Sequence, residues 1–201
     1  MWEYNKFLQY PANIRKPDPD YAALVVTQFG GPDGELAASL RYISEMYTMP
    51  IPEGKAILND IGTEELAHFE IIGTLIYKLV KDVPPDVIKQ TKFASHYAQW
   101  GKGQHPGSAL GNPFTSAFFA THEDPIATIT ENLAAEQKAR AVYEYLLDMT
   151  NDPAIIDTLS FLREREVVHF QRFGEVLDLL YDYQDRDGDG CFAHSKEEKE
   201  D

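Results

Sequence analysis

The chain has 201 residues, 43% of them hydrophobic, which suits one globular domain and excludes a disordered protein. Its net charge of −15 excludes nucleic acid as a favourable partner, because the phosphates would be repelled. The single cysteine, Cys191, excludes an internal disulfide and a thiolate metal centre. The amino terminus lacks the features of a signal peptide, and no apolar stretch approaches the roughly 20 residues that span a bilayer. We therefore expect a protein that is made in the cytosol and has no membrane partner.

The elements, taken in chain order, predict an extended arm followed by four long helices. The arm is the stretch MWEYNKFLQYP, whose large side chains suit packing on the helices or on a neighbouring subunit. The spacing of apolar residues then predicts helices over about residues 21–47, 53–81, 125–148 and 153–183. The first of these should be interrupted near Gly30, Gly31 and Pro32, and the TNDP sequence before Pro153 supplies a stop, a cap and a first-turn proline.

The links between the helices predict their topology. The link between the first and second helices is short, and so is the link between the third and fourth, so each of these pairs should form an antiparallel hairpin. Residues 82–124, between the two pairs, form a long connection. A long connection lets the second hairpin return in the same sense as the first. We therefore predict an all-α fold, a ferritin-like four-helix bundle with one long crossover and an extended amino-terminal arm. One domain would cover residues 1–183, and residues 184–201 would form an acidic flexible tail.

The second and fourth predicted helices carry polar residues where buried apolar ones are expected. In alternating steps of three and four, the buried face of the second helix reads Leu58, Ile61, Glu65, His68, Ile72, Leu75 and Leu79. The fourth helix repeats this face as Leu159, Leu162, Glu166, His169, Phe173, Val176 and Leu180. In both helices a Glu-x-x-His pair therefore interrupts an otherwise apolar face.

The spacing of four glutamates shows that the pattern occurs twice. Glu35 precedes Glu65 by 30 residues, and Glu136 precedes Glu166 by 30 residues. Each hairpin thus has a glutamate on its first helix and Glu-x-x-His on its second. If one pair of glutamates lies at one level of its hairpin, the other pair does so too.

Four buried carboxylates require compensation, because an unpaired charged carboxylate in a protein core is prohibitively costly. Two divalent cations would balance them, and the i, i+3 spacing directs Glu and His toward the same metal. A single Glu-x-x-His motif is common by chance, and a histidine on an apolar face is usually an ordinary core residue. Two matched copies favour a dinuclear metal site. Its candidate ligands are Glu35, Glu65, His68, Glu136, Glu166 and His169.

Other charged residues near these motifs fall off the buried faces. We expect the carboxylates among them to be solvated: Glu64, Glu70, Glu131, Glu144, Glu164 and Glu175. Arg163 and Arg165 should form surface ion pairs.

At these residues the chain resembles the manganese catalase family of ferritin-like proteins, and within it more closely a group of spore coat proteins from endospore-forming bacteria. The matching stretches are MWEYNKFLQYP, QFGGPDGELAASLRYISEMYTMP, LNDIGTEELAHFEIIGTLIYKLVKD, DPIATITENLAAEQKARAVYEYLL and SFLREREVVHFQRFGEVL. The resemblance implies two manganese ions and the disproportionation of hydrogen peroxide to water and oxygen. It also implies a homo-oligomer, a hexamer by analogy with the family, and other spore coat proteins as partners.

The resemblance also implies roles for individual residues. The family's metal ligands match Glu35, Glu65, His68, Glu136 and His169, with Glu65 as the bridging carboxylate. Glu166 matches a glutamate beside the metals that serves as a proton carrier, and Tyr42 matches a tyrosine that supports the first-helix glutamate. The family carries an arginine where this chain has Ala135, which Arg140 would partly replace.

Two alternatives stay open at the level of sequence. Carboxylate and imidazole ligands suit iron as well as manganese, so the site could belong to a di-iron ferroxidase or oxidase. The protein could also be a structural coat component whose metal centre stabilises the bundle.

Overall fold

The computed structural model of the protein describes residues 7–187, which are mainly helical and contain no β-strand. The predicted all-α four-helix bundle with one long crossover is confirmed. The helices are α1 (Pro19–Gly30), α2 (Glu35–Glu45), α3 (Pro52–Val80), α4 (Pro85–Ile88), α5 (Ala94–Trp100), α6 (Pro125–Asp148) and α7 (Pro153–Asp187). The first bundle position is shared by α1 and α2, and α3, α6 and α7 fill the others.

The helix ends follow the local signals in the sequence. The predicted first helix is divided at residues 31–34, where the interruption was expected. Asp124 accepts a hydrogen bond from the Ala127 amide at 2.8 Å, which caps α6 at its predicted start. Asp152 accepts one from the Ala154 amide at 2.8 Å, next to the proline that opens α7. Helix α7 continues to residue 187, four residues beyond the predicted end, and residues 188–201 of the predicted tail lie outside the described part.

The core consists of two apolar clusters that lie on either side of the middle of the bundle. The first cluster includes the fully buried Val25, Ile72, Leu75, Leu79, Leu159 and Leu162. The second includes the fully buried Leu58, Ile61, Ile129, Phe173, Val176 and Leu180. Along both α3 and α7, the Glu-x-x-His motif falls between the segments that belong to these clusters. Burial of each of these leucine side chains stabilises the folded state by about 1.5–3 kcal/mol. The polar residues thus lie between two well-packed apolar layers.

The described part of the amino-terminal arm packs on the bundle, in agreement with one of the two placements predicted for it. Tyr10 stacks on Phe161 with ring centroids 4.3 Å apart, and its hydroxyl donates to Asp157 at 2.9 Å. Ala12 is fully buried, and its carbonyl accepts a hydrogen bond from Lys78 at 2.5 Å. Residues 1–6 lie outside the described part.

The crossover, residues 81–124, contains α4, α5 and a short 3-10 helix at Ser116–Phe118. It packs closely on the end of α1, because a Cβ atom at Gly30 would lie 2.3 Å from the Gly107 nitrogen. Among the described residues, no helix combines the length and apolar character that a membrane span requires.

Candidate metal centre

Four glutamates and two histidines meet in the layer between the two apolar clusters. They come from four helices: Glu35 on α2, Glu65 and His68 on α3, Glu136 on α6, and Glu166 and His169 on α7. None is more than 3% exposed. The six residues singled out from the sequence as candidate ligands are therefore together in space.

Ligand atoms of these residues form two overlapping groups, each compact enough to hold a metal ion. Glu35 and His68 join Glu65 and Glu166 in one group, and Glu136 and His169 join the same two glutamates in the other. Within each group, one ligand atom per residue lies within 4.8 Å of all the others. Two neighbouring metals that share two carboxylates would fit this arrangement.

The two histidines are oriented alike around Glu65. The Nδ1 atoms of His68 and His169 each lie 2.8 Å from a different oxygen of the Glu65 carboxylate. Their rings are stacked, with centroids 5.5 Å apart and planes 19° from parallel. Both rings thus turn Nδ1 inward, where a neutral imidazole can offer a lone pair to a metal.

Several buried polar atoms in the cluster fit a bound cation. Glu136 Oε2, Glu166 Oε1, Glu65 Oε1 and His169 Nδ1 have no hydrogen-bond partner among the described residues. Although Glu65 Oε1 and His169 Nδ1 are 2.8 Å apart, the geometry of that contact is not a hydrogen bond. Buried acceptors without donors are uncommon in native proteins, and cation binding would satisfy them. This donor set of carboxylate oxygen and imidazole nitrogen suits manganese and iron.

Electrostatics require this cluster to hold protons or cations. Burial, followed by the charges of Glu136 and Glu65, raises the pKa of Glu166 well above its usual value. Burial and the charge of Glu65 likewise raise the pKa of Glu35 to about 8. Glu65 behaves oppositely: burial would raise its pKa, but the two adjacent imidazolium groups hold it low. Without a metal, the carboxylates therefore cannot all be ionised at neutral pH.

Two buried tyrosines link the halves of the site crosswise. The Tyr42 hydroxyl on α2 donates to Glu136 on α6 at 2.5 Å, and the Tyr143 hydroxyl on α6 donates to Glu35 on α2. The expectation that Tyr42 supports the first-helix glutamate is therefore wrong as to the partner, because its hydroxyl reaches across to the third predicted helix. Tyr143 was not predicted as a site residue. Its spacing was a usable signal, because each tyrosine follows the glutamate of its own helix by seven residues.

Glu64 and Arg165 also differ from the sequence-based expectation. Glu64 was expected to be solvated, yet its side chain is only 16% exposed and lies between the two histidines. Its Oε2 is 3.0 Å from His169 Nε2, and its Oε1 is 3.6 Å from His68 Nε2. Arg165 binds the same carboxylate at 2.9 and 3.0 Å, so its ion pair belongs to the site's surroundings. Burial would raise the pKa of Glu64, but His169, His68, Arg165 and Gln9 hold it well below the usual range.

The other off-face charges mostly behave as predicted. Glu131, Glu144 and Glu164 are 40–62% exposed, and Arg163 pairs with the last two. Arg140 contacts Gln137 and Glu144 on its own helix, at 3.0 and 3.6 Å. Those contacts do not involve the carboxylates of the cluster, and the catalytic role of Arg140 stays a prediction.

A cavity of about 20 Å³ reaches the cluster between α2 and α6. Its lining includes Gly34, Arg41, Ala135, Lys138 and the cluster carboxylates Glu35, Glu136 and Glu166. A volume above about 10–15 Å³ accommodates a water-sized molecule. Ala135, the position at which the chain departs from the family pattern, thus lines the cavity beside the cluster.

The helical bundle and its central carboxylate–histidine cluster define a ferritin-like protein, and comparison with known proteins identifies its family. A family model for manganese-containing catalase matches residues 1–200. Protein CotJC of Bacillus subtilis is 44% identical over 186 residues, which cover 92% of this chain and 98% of that protein. A "Probable manganese catalase" of Clostridium acetobutylicum is 34% identical over 166 residues, covering 82% and 73%. The crystal structure of KatB, a manganese catalase from Anabaena, matches with a TM-score of 0.83 at 33% identity, covering 96% of this chain and 85% of that one. The chain belongs to the manganese catalase family, as its resemblance predicted.

Proposed function

We propose that this protein holds two manganese ions in the central cluster and disproportionates hydrogen peroxide to water and oxygen. The observation that carries the proposal is the convergence of four buried carboxylates and two inward-facing imidazoles from all parts of the bundle. A bound manganese pair would supply the redox chemistry by cycling between the two-plus and three-plus states. Membership of the family supports both the metal and the substrate.

The proposed ligands are divided between two metals. Glu35 and His68 would hold one, Glu136 and His169 the other, and Glu65 would bridge them. The central role of Glu65 is supported by its contacts, because each of its oxygens faces one histidine Nδ1 at 2.8 Å. Tyr42 and Tyr143 would hold the two terminal glutamates by hydrogen bonds from opposite helices.

Glu166 is the proposed proton carrier of the reaction. Peroxide that enters the cavity would meet its carboxyl group, since Glu166 is part of the cavity lining. In the metal-free site, burial and the neighbouring carboxylates raise the pKa of Glu166 well above its usual value. In the proposed reaction its carboxyl group would pass a proton to the peroxide oxygen that leaves as water. The cavity size favours a substrate as small as hydrogen peroxide.

A di-iron oxidase is the second candidate, and one observation favours it. Glu166 belongs to both ligand groups in the same way as Glu65, as in a symmetric site with two bridging carboxylates. In the manganese proposal Glu166 transfers protons, whereas in the symmetric di-iron site it is a ligand. The two roles predict different metal contents for its variants.

The test compares Glu65→Ala with Glu166→Ala and the unmodified protein. After loading with manganese, we expect about two metals per chain and oxygen evolution from peroxide in the unmodified protein. Glu65→Ala should lose the metals, whereas Glu166→Ala should keep them and lose oxygen evolution. Equal metal loss in both variants would favour the di-iron candidate. Full peroxide turnover in Glu166→Ala would contradict its proposed role.

The cellular part of the proposal is a homo-oligomer, a hexamer by analogy with the family, that associates with other proteins of the spore coat. The similarity to Protein CotJC over nearly the whole chain supports this setting. Light scattering at micromolar concentration should give a mass several times that of one chain. Fractionation of sporulating cells of the host should place the protein in the coat, and recovery elsewhere only would contradict this.

A further inference from the structure

The outward-facing nitrogens of both histidines point to one carboxylate that is outside the proposed ligand set. His169 Nε2 is 3.0 Å from Glu64 Oε2, which is hydrogen-bond distance. His68 Nε2 is 3.6 Å from Glu64 Oε1, an ion-pair distance beyond a direct hydrogen bond. Since Nδ1 of each ring faces Glu65, Glu64 contacts the opposite nitrogen in both cases.

Three contacts fix the Glu64 carboxylate in place. A terminal guanidinium nitrogen of Arg165 donates a hydrogen bond to Oε2 at 3.0 Å. The Nε atom of Arg165 lies 2.9 Å from Oε1, an ion-pair contact without hydrogen-bond geometry. A hydrogen bond between two charged groups is stronger than a neutral one and helps to orient the carboxylate. Gln9 of the amino-terminal arm donates to Oε1 at 2.6 Å. Glu64 is thus held by α7 and by the arm.

The two-copy arrangement of the site explains why one carboxylate contacts both rings. Glu64 directly precedes Glu65 on α3, and Arg165 directly precedes Glu166 on α7. Equivalent positions of the two halves therefore carry opposite charges and form an ion pair across the bundle. The half with arginine has no carboxylate of its own at this position, and its histidine, His169, relies on Glu64 from the other half.

We infer that Glu64 is a positioning residue of the metal centre, which fixes His169 by a direct hydrogen bond and acts more weakly on His68. By accepting from Nε2–H, it keeps the Nδ1 lone pair of the ring free and directed at the metal, and it makes the ligand more basic. Because Gln9 donates a hydrogen bond to Glu64, the amino-terminal arm also helps to position this carboxylate. The inference rests on the proposed dimetal function, and the experiment below tests the two separately.

The experiment measures manganese dissociation constants and the visible spectrum of cobalt(II)-substituted protein. The proteins are the unmodified full chain, Glu64→Ala, Glu64→Gln, Gln9→Ala and the control Glu53→Gln. Glu53 is an exposed glutamate of the same helix, so its variant removes an equal charge away from the site. The cobalt spectrum responds to the ligand field of the histidine nitrogens, and a purely structural role would leave it unchanged.

We expect Glu64→Ala to raise the dissociation constant about 10–100-fold, as is typical when the carboxylate partner of a metal-bound histidine is removed. Its cobalt bands should shift while its helical content is retained. Glu64→Gln should recover part of the affinity, because the amide oxygen still accepts from Nε2–H. Gln9→Ala should show a smaller loss in the same direction, and Glu53→Gln none.

The outcomes separate the inference from the proposed function. If the unmodified chain binds no metal, the proposed function fails. If it binds two, but Glu64→Ala has an unchanged affinity and cobalt spectrum, only the inference fails. If Glu64→Ala does not fold, the comparison uses Glu64→Gln and Gln9→Ala, and unchanged affinity in both would overturn the inference.

Discussion

Glu45 provides a pH-dependence prediction that is independent of the metal ligands. This residue of α2 is 2% exposed and accepts a hydrogen bond from the Asn132 amide at 2.5 Å. Burial raises its pKa from 4.5 to about 8, even though Asn132 and the charge of Arg41 act to lower it. Its other oxygen has no hydrogen-bond partner among the described residues. The folded protein therefore prefers Glu45 to be protonated.

The direction of the pH effect follows from this raised pKa. A carboxyl group with a raised pKa in the folded state has its full stabilising effect below its unfolded pKa of about 4.5, and this effect is lost progressively as the pH rises to about 8. The effect is about 1.4 kcal/mol per pH unit. Relative to low pH, Glu45 should therefore lower the free energy of unfolding by about 1 kcal/mol at pH 5 and by about 3 kcal/mol at pH 7. Glu45→Gln removes this titration and keeps an oxygen that can accept from Asn132.

The assay is urea unfolding of both proteins in the same metal state at pH 5 and pH 7. We subtract the free energy of unfolding of the unmodified protein from that of Glu45→Gln at each pH. This difference should be about 2 kcal/mol larger at pH 7 than at pH 5. Glu131→Gln is the matched control, because Glu131 pairs with Arg41, whose charge also lowers the pKa of Glu45, but is 46% exposed. Glu131→Gln should change the free energy of unfolding by no more than about 0.5 kcal/mol at either pH. The reasoning would be refuted if Glu45→Gln and the unmodified protein differed in free energy of unfolding by the same amount at both pH values.

Three further predictions concern the site itself. His68→Ala should lose bound manganese while circular dichroism shows retained helix, because both apolar clusters remain; full metal content would contradict a ligand role. Tyr42→Phe and Tyr143→Phe should each weaken manganese binding about tenfold, since each removes a hydrogen bond to a buried carboxylate; titration showing an effect for one alone would argue against their equivalence. Ala135→Leu should fill the cavity and lower oxygen evolution at unchanged metal content, whereas Ala134→Leu on the exposed surface should have no effect; equal activities would show that peroxide arrives by another path.

The fold and the six central residues were predictable because both depend on patterns within single helices. Apolar spacing indicated four helices, and the interruptions at Glu65–His68 and Glu166–His169 stood out against it. The equal 30-residue separations placed the two remaining glutamates at the same level. The capping residues Asp124 and Asp152 fixed two helix starts through hydrogen bonds made within one turn.

Contacts between helices were less predictable, because the spacing along one helix does not identify its neighbour. Tyr42 is on the correct face of α2, but its hydroxyl reaches α6 instead of the glutamate on its own helix. Glu64 falls one position off the main buried face of α3, which suggested a solvated side chain. Helix α3 packs against α7 as well as against α1 and α2, so this second face is partly covered and meets Arg165.

The residues that precede the four central glutamates give the site an open side and a closed side. On α2 and α6 these residues are Gly34 and Ala135, which are small and line the cavity. On α3 and α7 they are Glu64 and Arg165, whose ion pair covers the outer nitrogens of the histidines. A small cavity therefore adjoins the carboxylates on one side, and the Glu64–Arg165 ion pair lies beside the imidazoles on the opposite side. If the centre turns over peroxide, as we propose, the open side would admit the substrate and the closed side would help to retain the metals.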